Sequence, residues 1–140
     1  LASFLYDVRT ARRGSAETTA NAERGSYRSP PSVGTSNLVI DPGDATLEQL
    51  VARAGDGLYV TDVAGLHSGV NPVSGDFSTG ASGMLITNGT VGAPVRELTI
   101  ASTLQRMLLD IAEVGSDVDW LPMRAAGVSL VIHDVTMSGA

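Results

Sequence analysis

The side chains that could do chemistry in this 140-residue chain are few and scattered. There is no cysteine, and the two histidines, His67 and His133, are far apart and belong to no ligand-spaced pair. An open catalytic zinc needs three protein ligands, which two isolated imidazoles cannot supply. We therefore expect no metal and no other cofactor in this chain, and interpret each histidine as a hydrogen-bonding group.

The carboxylates and hydroxyls give no stronger indication of catalysis. Asp62, Asp76 and Asp134 are candidate acids, but Asp76 is expected to cap the backbone N–H groups of its own turn. The serines of the same region lack a histidine base at a recognisable spacing and a Gly-x-Ser-x-Gly elbow; they are Ser68, Ser74, Ser78 and Ser82. We predict no catalytic residue in this chain.

The most informative feature is the segment from Gly65 to Gly83, which we call the glycine-rich segment. It holds five glycines, one proline and interspersed apolar residues that indicate packing, namely Leu66, Val70, Val73 and Phe77. Asn71 and Pro72 predict a turn, and Gly75 is expected to be left-handed. Its glycine spacing fits no phosphate-binding loop.

What remains for the glycine-rich segment is a surface role. Glycines that admit another backbone, beside strand edges, suit an extended peptide or a partner's strand. We predict a surface for substrate or partner at Gly69, Asn71, Pro72, Gly75, Asp76, Gly80 and Gly83.

Three motifs occur in order along the chain. Ser3–Asp7 reads Ser-Phe-Leu-Tyr-Asp and is followed by Thr10–Arg13, Thr-Ala-Arg-Arg. Gly69–Gly83 reads Gly-Val-Asn-Pro-Val-Ser-Gly-Asp-Phe-Ser-Thr-Gly-Ala-Ser-Gly, and Ile86–Glu97 contains Asn-Gly and Pro-Val-Arg-Glu. Together they resemble the signatures of the PmbA/TldD family over nearly the whole chain.

The resemblance implies a function and one departure from the family pattern. TldD-type members are zinc metallopeptidases, with an upstream His-Glu-x-x-x-His helix and a cysteine ligand in a Gly-Val-Cys-Gly-Lys loop. Where that loop belongs, Val118–Val128 contains no cysteine. The departure matches the PmbA/TldE type, the non-metal-binding partner of TldD.

The family therefore implies that this chain pairs with a TldD-type subunit, or with itself, around an unfolded peptide. Zinc is expected in the TldD-type partner. The alternative is a non-enzymatic binding or regulatory protein, in line with the family's older description as a modulator of DNA gyrase.

Composition limits the classes of protein that fit. The chain is 43% hydrophobic, which is enough for one domain over residues 1–140, and no apolar run approaches a membrane span. The net charge of −6 argues against nucleic acid. Arg9, Arg12 and Arg13 precede Gly14, where cations suit the negative end of a helix dipole.

We expect a cytoplasmic protein, and a start at Leu1 within a motif suggests part of a longer chain.

The local patterns predict an α+β fold, strand-rich, with an antiparallel sheet and two to three helices. Capping boxes predict helices over Thr46–Ala54 and Thr103–Val114. A third helix is expected after a strand in the first ten residues. Asn88-Gly89 predicts a hairpin between Met84–Thr87 and Thr90–Val95. Other strands are predicted at Ser36–Ile40, Gly57–Val63, Val128–Ile132 and Val135–Met137, and the last two are expected to pair with each other. The family resemblance implies that residues 14–34 form a long extended loop near the substrate cleft.

Overall fold

The computed structural model describes residues 3–122 and 125–139 of the chain. The helices in these ranges are α1 (Val8–Gly14), α2 (Leu47–Ala54), α3 (Leu66–Gly69) and α4 (Leu104–Leu109). The strands are β1 (Ala22–Glu23), β2 (Ser32–Val33), β3 (Leu38–Val39), β4 (Gly57–Ala64), β5 (Asp76–Thr87), β6 (Thr90–Thr103), β7 (Ile111–Val114), β8 (Asp119–Leu121), β9 (Ala125–Gly127), β10 (Leu130–Ile132) and β11 (Thr136–Ser138). Strands predominate and most pair antiparallel, which confirms the α+β prediction.

The chain forms two compact units. The first unit runs up to Ile40 and includes Asp119–Gly127, and the second unit comprises Asp41–Val118 and the chain from Val128 onward. In the first unit, β1 pairs with β2, and β3, β9 and β8 form a three-stranded sheet in which β3 and β9 are parallel. A single domain over residues 1–140 stays a prediction.

The second unit is built on a four-stranded sheet with the order β11-β6-β5-β4. The long hairpin β5–β6 turns at Asn88 and Gly89, which have φ angles of 49° and 71°. Two positive φ angles in a two-residue turn match the right-handed twist of the flanking strands. The Asn-Gly hairpin is confirmed. Both strands are longer than predicted, and the face of β5 that carries Phe77 and Ala81 packs into the core with Ile100 of β6.

Helix α2 confirms its prediction in detail. The Thr46 backbone N–H donates to the Gln49 side chain at 3.0 Å, and the Gln49 N–H donates to the Thr46 hydroxyl at 3.3 Å. This reciprocal capping box satisfies two N–H groups that would otherwise be unpaired at the helix start. Leu50 and Val51 are buried on the inner face of the helix.

Helix α4 is much shorter than the predicted Thr103–Val114. Thr103 is the N-cap, accepting from the Arg106 N–H at 3.2 Å, and the helix ends at Leu109. Ile111–Val114 instead forms β7, which pairs antiparallel with β10. The predicted closing pair is also wrong, because β10 pairs with β7 while β11 pairs with β6.

Helix α1 begins after Asp7, whose carboxylate accepts from the Thr10 N–H at 2.6 Å. The described residues 3–7 form no strand, because the backbone of Tyr6 bonds to Thr19 and its neighbours instead of to a ladder. Arg12 and Arg13 occupy the last helical turn, as predicted, whereas Arg9 lies in the first turn.

The predicted extended loop over residues 14–34 contains the β1–β2 pair, and the predicted strand Ser36–Ile40 is limited to Leu38–Val39. Whether residues 14–34 lie near a substrate cleft stays a prediction.

Candidate functional site

The turn inside the glycine-rich segment is organised by Asn71. Its side-chain Oδ1 accepts from the backbone N–H groups of Val73 at 2.9 Å and Ser74 at 3.2 Å. The Gly75 N–H donates to the Asn71 carbonyl at 2.8 Å, and Gly75 has a φ of 83°. A side-chain oxygen that satisfies the backbone two residues on is the reason asparagine is favoured here. The predicted turn and the left-handed Gly75 are confirmed.

Asp76 does not cap its turn in the way the sequence suggested. Its carboxylate accepts from the Ser74 hydroxyl at 2.6 Å, and its own N–H donates to the Ser74 Oγ at 3.3 Å. The predicted bonds from backbone N–H groups to the Asp76 carboxylate are therefore replaced by a side-chain pair, because the Asn71 oxygen already accepts from those N–H groups.

The irregular turn of the glycine-rich segment is limited to residues 70–75, between α3 and β5. Leu66–Gly69 is α3, and Gly80 and Gly83 lie inside β5. A Cβ at Gly83 would collide with the Tyr59 carbonyl oxygen on β4, whereas a Cβ at Gly80 would meet Ala64 at an ordinary 3.7 Å. The backbone that approaches Gly83 therefore belongs to the neighbouring strand of the same sheet.

Gly69 is also closely approached by its own chain. A Cβ there would collide with the Ser78 carbonyl oxygen and lie 2.8 Å from the Thr79 methyl group. Because α3 rests directly on β5 at this point, glycine is required at the end of the helix. The close backbone approach at Gly69 and Gly83 is therefore made by this chain itself and stabilises the segment.

An open pocket of about 570 Å³ lies where α3, the turn and the start of β5 meet. Four of the seven predicted surface residues line it, namely Gly69, Asn71, Pro72 and Asp76, together with Ser68, Val70 and Ser78. Gly75 shapes the turn without lining the pocket. The structure therefore brings Gly69, Asn71, Pro72 and Asp76 together around one pocket. Gly80 and Gly83 do not line this pocket.

Sequence reasoning missed the role of helix α4 in fixing the turn. The Leu104 N–H donates to the Gly75 carbonyl at 2.7 Å, and the Gln105 amide donates to the Ser74 carbonyl at 3.3 Å. A Cβ at Gly75 would collide with the Gln105 amide. These contacts span about thirty residues of chain, so no local pattern could have indicated them.

Apolar side chains around the turn are split between core and solvent. Phe77 is buried and Val70 packs against the same core. Leu66 is 52% exposed and Val73 is 92% exposed, so neither side chain is buried in the core of this chain. On α4, Leu108 and Leu109 are 71% and 76% exposed. The turn and α4 therefore present several large apolar side chains to solvent.

The described residues do not fit a zinc site. His67 lies on α3 and His133 follows β10, and both are exposed. Within residues 3–122 and 125–139, no three histidine or acidic side chains converge on a point where they could hold a metal ion.

The stretch where the family places a cysteine loop contains β8 and β9, which pair antiparallel in the first unit. Met123 and Arg124 of this stretch lie outside the described residues. Immediately before and after the stretch, Asp117 and Ser129 are joined by two hydrogen bonds. The Ser129 hydroxyl holds the pKa of the Asp117 carboxyl below its usual value.

None of the helices in the described ranges has the length and apolar character needed to cross a lipid bilayer.

Comparison with known proteins extends over almost the whole chain. Residues 1–139 match the family model for the PmbA/TldA metallopeptidase C-terminal domain. A metalloprotease PmbA homolog of Haemophilus influenzae is 39% identical over 107 residues, which cover 76% of this chain and 23% of that protein. This chain therefore spans about a quarter of the length of that relative.

Solved structures give the same result. TldE from Thermococcus kodakarensis superposes with a TM-score of 0.87 at 25% identity, covering 98% of this chain and 31% of that one. A candidate modulator of DNA gyrase from Thermotoga maritima has a TM-score of 0.84 at 30% identity, covering 99% of this chain and 31% of that one. With the sheet, the asparagine-centred turn and a family match over residues 1–139, the chain belongs to the PmbA/TldD metallopeptidase family, as its C-terminal domain.

Proposed function

We propose that this chain is the C-terminal domain of a PmbA/TldE-type subunit that binds no metal and pairs with a zinc-bearing TldD-type subunit. In this role it shapes the cleft that holds an unfolded peptide, and the partner cuts the peptide. The observation that carries the proposal is the sequence of Val118–Val128, which has no thiolate where the TldD type has its cysteine ligand. The match to a TldE structure supports the same subunit type.

The surface of the second unit is suited to pairing. Leu108 and Leu109 lie side by side on a six-residue helix with most of their surface in water. Burying one such side chain contributes roughly 1.5–3 kcal/mol. Contact with another subunit would recover that free energy, so we assign α4 to the interface with the partner.

Strand β4 offers a place for the peptide. It is an outer strand of the four-stranded sheet, with β5 on one side and no strand among the described residues on the other. An extended peptide can add to such an edge through backbone hydrogen bonds. Ala64 is the last residue of β4 and pairs with Gly80. Ser68 and Gly69, which line the pocket, follow Ala64 closely in the sequence. A peptide along β4 would therefore be led toward that pocket.

The test is reconstitution of the intact protein with a TldD-type subunit that carries the His-Glu-x-x-x-His helix. We expect co-purification, cleavage of an unfolded peptide only by the pair, and loss of cleavage when a histidine of the partner's motif is replaced. Cleavage by this protein alone, with no partner, would contradict the proposal.

The assignment of α4 is tested by the double variant Leu108→Ser, Leu109→Ser. We expect weaker association with the partner in sedimentation experiments and an unchanged melting temperature, because both side chains are exposed. Leu38→Ser, at a 61% exposed leucine of the first unit, serves as the control. Equal loss of association in the control would show that α4 has no special part in pairing.

A regulatory role is the second candidate, since the related Thermotoga maritima protein is described as a candidate modulator of DNA gyrase. Recovery of gyrase alone in a pull-down with the intact protein, without a TldD-type subunit, would favour it. The net charge of −6 disfavours direct contact with DNA in either case. We also propose a cytoplasmic location, with which the absence of cysteine is compatible.

A further inference from the structure

A second open pocket, of about 500 Å³, lies in the first unit beside α1. Its lining combines three arginines of the helix with small apolar surfaces. The lining residues are Asp7, Val8, Arg9, Arg12, Arg13, Ala22, Pro30 and Pro31. Neither the turn at Asn71 nor any other residue of the surface described above takes part in it.

The arrangement of the arginines is costly for the helix itself. Arg12 and Arg13 lie three and four residues after Arg9, so both place a like charge beside it on the helix surface, where the charges repel. The negative end of the helix dipole offsets this for Arg12 and Arg13 in the last turn. Arg9 lies in the first turn, where the dipole disfavours a cation. Helix stability therefore does not explain the set of three.

The rest of the described chain does not neutralise the three arginines through ion pairs. The ion pairs recorded within residues 3–122 and 125–139 are Arg53 with Glu113 and Arg106 with Asp110, both in the second unit. The Asp7 carboxylate at the edge of the pocket accepts from the Thr10 N–H and hydroxyl as the helix cap. The three arginines thus line the pocket together with one carboxylate, and that carboxylate already accepts the hydrogen bonds of the helix cap.

Charge is also distributed unevenly along the sequence. Residues 1–40 carry five arginines and three acidic residues, a formal net charge of +2. Residues 41–140 carry four arginines and twelve acidic residues, a net charge of −8. A positive site in an otherwise acidic protein attracts anionic ligands selectively, because the remaining surface repels them.

We propose that this pocket binds acidic side chains of an unfolded peptide and so gives the protein a preference for peptides in which acidic and apolar residues alternate. The proposal rests on the peptide-binding function proposed above. A guanidinium group can hold a carboxylate through two parallel hydrogen bonds, which favours carboxylates over other polar groups. Val8, Ala22, Pro30 and Pro31 provide apolar surface for the neighbouring side chains of the same peptide.

The experiment measures binding directly, by fluorescence anisotropy of labelled peptides with the intact protein. The probes are a short peptide of alternating Glu and Leu and the matched peptide with Gln in place of Glu. The variants are Arg9→Gln, Arg12→Gln and Arg13→Gln, singly and combined, since glutamine keeps the helix propensity of arginine. Arg96→Gln, an exposed arginine of β6, removes the same charge outside the pocket.

We expect the native protein to bind the Glu peptide more tightly than the Gln peptide. The triple variant should lose about tenfold or more of its affinity for the Glu peptide, and Arg96→Gln should change it little. Equal binding of the two peptides, or equal losses in Arg96→Gln and Arg12→Gln, would overturn the proposal. Displacement of the Glu peptide by low concentrations of inorganic phosphate would also overturn it, since the ligand would then be a free anion.

Because binding is measured without cleavage, the two proposals can fail separately. Selective binding of the Glu peptide without cleavage by the reconstituted pair would support this site and contradict the proposed peptidase role. Cleavage of both peptides at equal rates, with equal binding, would contradict the site alone.

Discussion

The carboxylate of Asp117 accepts hydrogen bonds from the Ser129 hydroxyl at 2.5 Å and from the Ser129 backbone N–H at 3.1 Å. These residues belong to the second unit, whereas the paired strands β8 and β9, which lie between them in the sequence, belong to the first unit. The two hydrogen bonds therefore join the point where the chain leaves the second unit to the point where it returns to it.

This pair makes stability depend on pH. The Ser129 hydroxyl is the main cause that lowers the pKa of Asp117 in the folded state. A depressed folded pKa contributes stability above the unfolded value of about 3.9, and this is lost as the pH falls through the folded pKa. Ser129→Ala should lower the free energy of unfolding at pH 7 by only about 0.5–1 kcal/mol, because Asp117 is exposed.

Urea denaturation of the native protein and of Ser129→Ala at pH 7, 5 and 3 checks this prediction. The difference between them should be constant from pH 7 to 5 and shrink below about pH 4. Ser36→Ala, at an exposed serine of the first unit, is the control. A difference that grows toward acid would show that the pair does not act through the charged carboxylate.

The hairpin turn should tolerate no β-branched residue at Gly89. Its φ is 71°, and a Cβ there would lie 2.7 Å from the Ala52 carbonyl oxygen of α2. Gly89→Val should therefore cost at least about 2 kcal/mol, through backbone strain and overpacking together. Chemical denaturation measures it, with Gly57→Val as control, since a Cβ at Gly57 meets open space. Equal stability of the two variants would mean that the turn does not pack on α2.

Gly80 and Gly83 should behave differently when substituted. Gly83→Ala should destabilise the second unit, because its Cβ would collide with the Tyr59 carbonyl oxygen on β4. Gly80→Ala should fold like the native protein, because its new methyl group meets Ala64 at van der Waals distance. Melting temperatures distinguish the two. Only Gly80→Ala can then test a role of β5 in peptide binding, since loss of function in Gly83→Ala would reflect the damaged sheet.

Zinc content should be independent of both histidines. We expect the variant His67→Ala, His133→Ala of the reconstituted pair to hold as much zinc as the native pair, because three converging ligands are absent from the described residues. Elemental analysis after dialysis measures this. Loss of one zinc per pair in the double variant would place a metal site on this chain and refute the proposed subunit type.

The sequence was informative where the determinants are local. The α2 capping box, the Asn88-Gly89 turn and the Asn71 turn depend on residues within four positions of each other, and all three are confirmed. By contrast, Ile111–Val114 continues an apolar helical pattern, yet forms a strand because β10 pairs with it. Such a partner, nearly twenty residues away, leaves no local signal.

The candidate site was predictable to the same extent. Asn71 and Gly75 were identified by turn chemistry, while Gln105 reaches the turn across the fold. The sequence predicts that Gly80 and Gly83 belong to a surface segment that admits another backbone, and glycine is depleted in strands. Pairing on both sides by β4 and β6 overrides that weak preference.

Because β5 lies between β4 and β6, its backbone amides should exchange with solvent later than those of the outer strands. Ala81 pairs with Val63 on one side and Leu98 on the other, and it is among the most buried residues described. Amide protons at the centre of such a strand exchange with solvent only when the whole unit unfolds, whereas those of an outer strand exchange through local fraying. In deuterium oxide, the central amides of β5 should therefore retain their protons longest, and those of the outer strands β4 and β11 should lose theirs first.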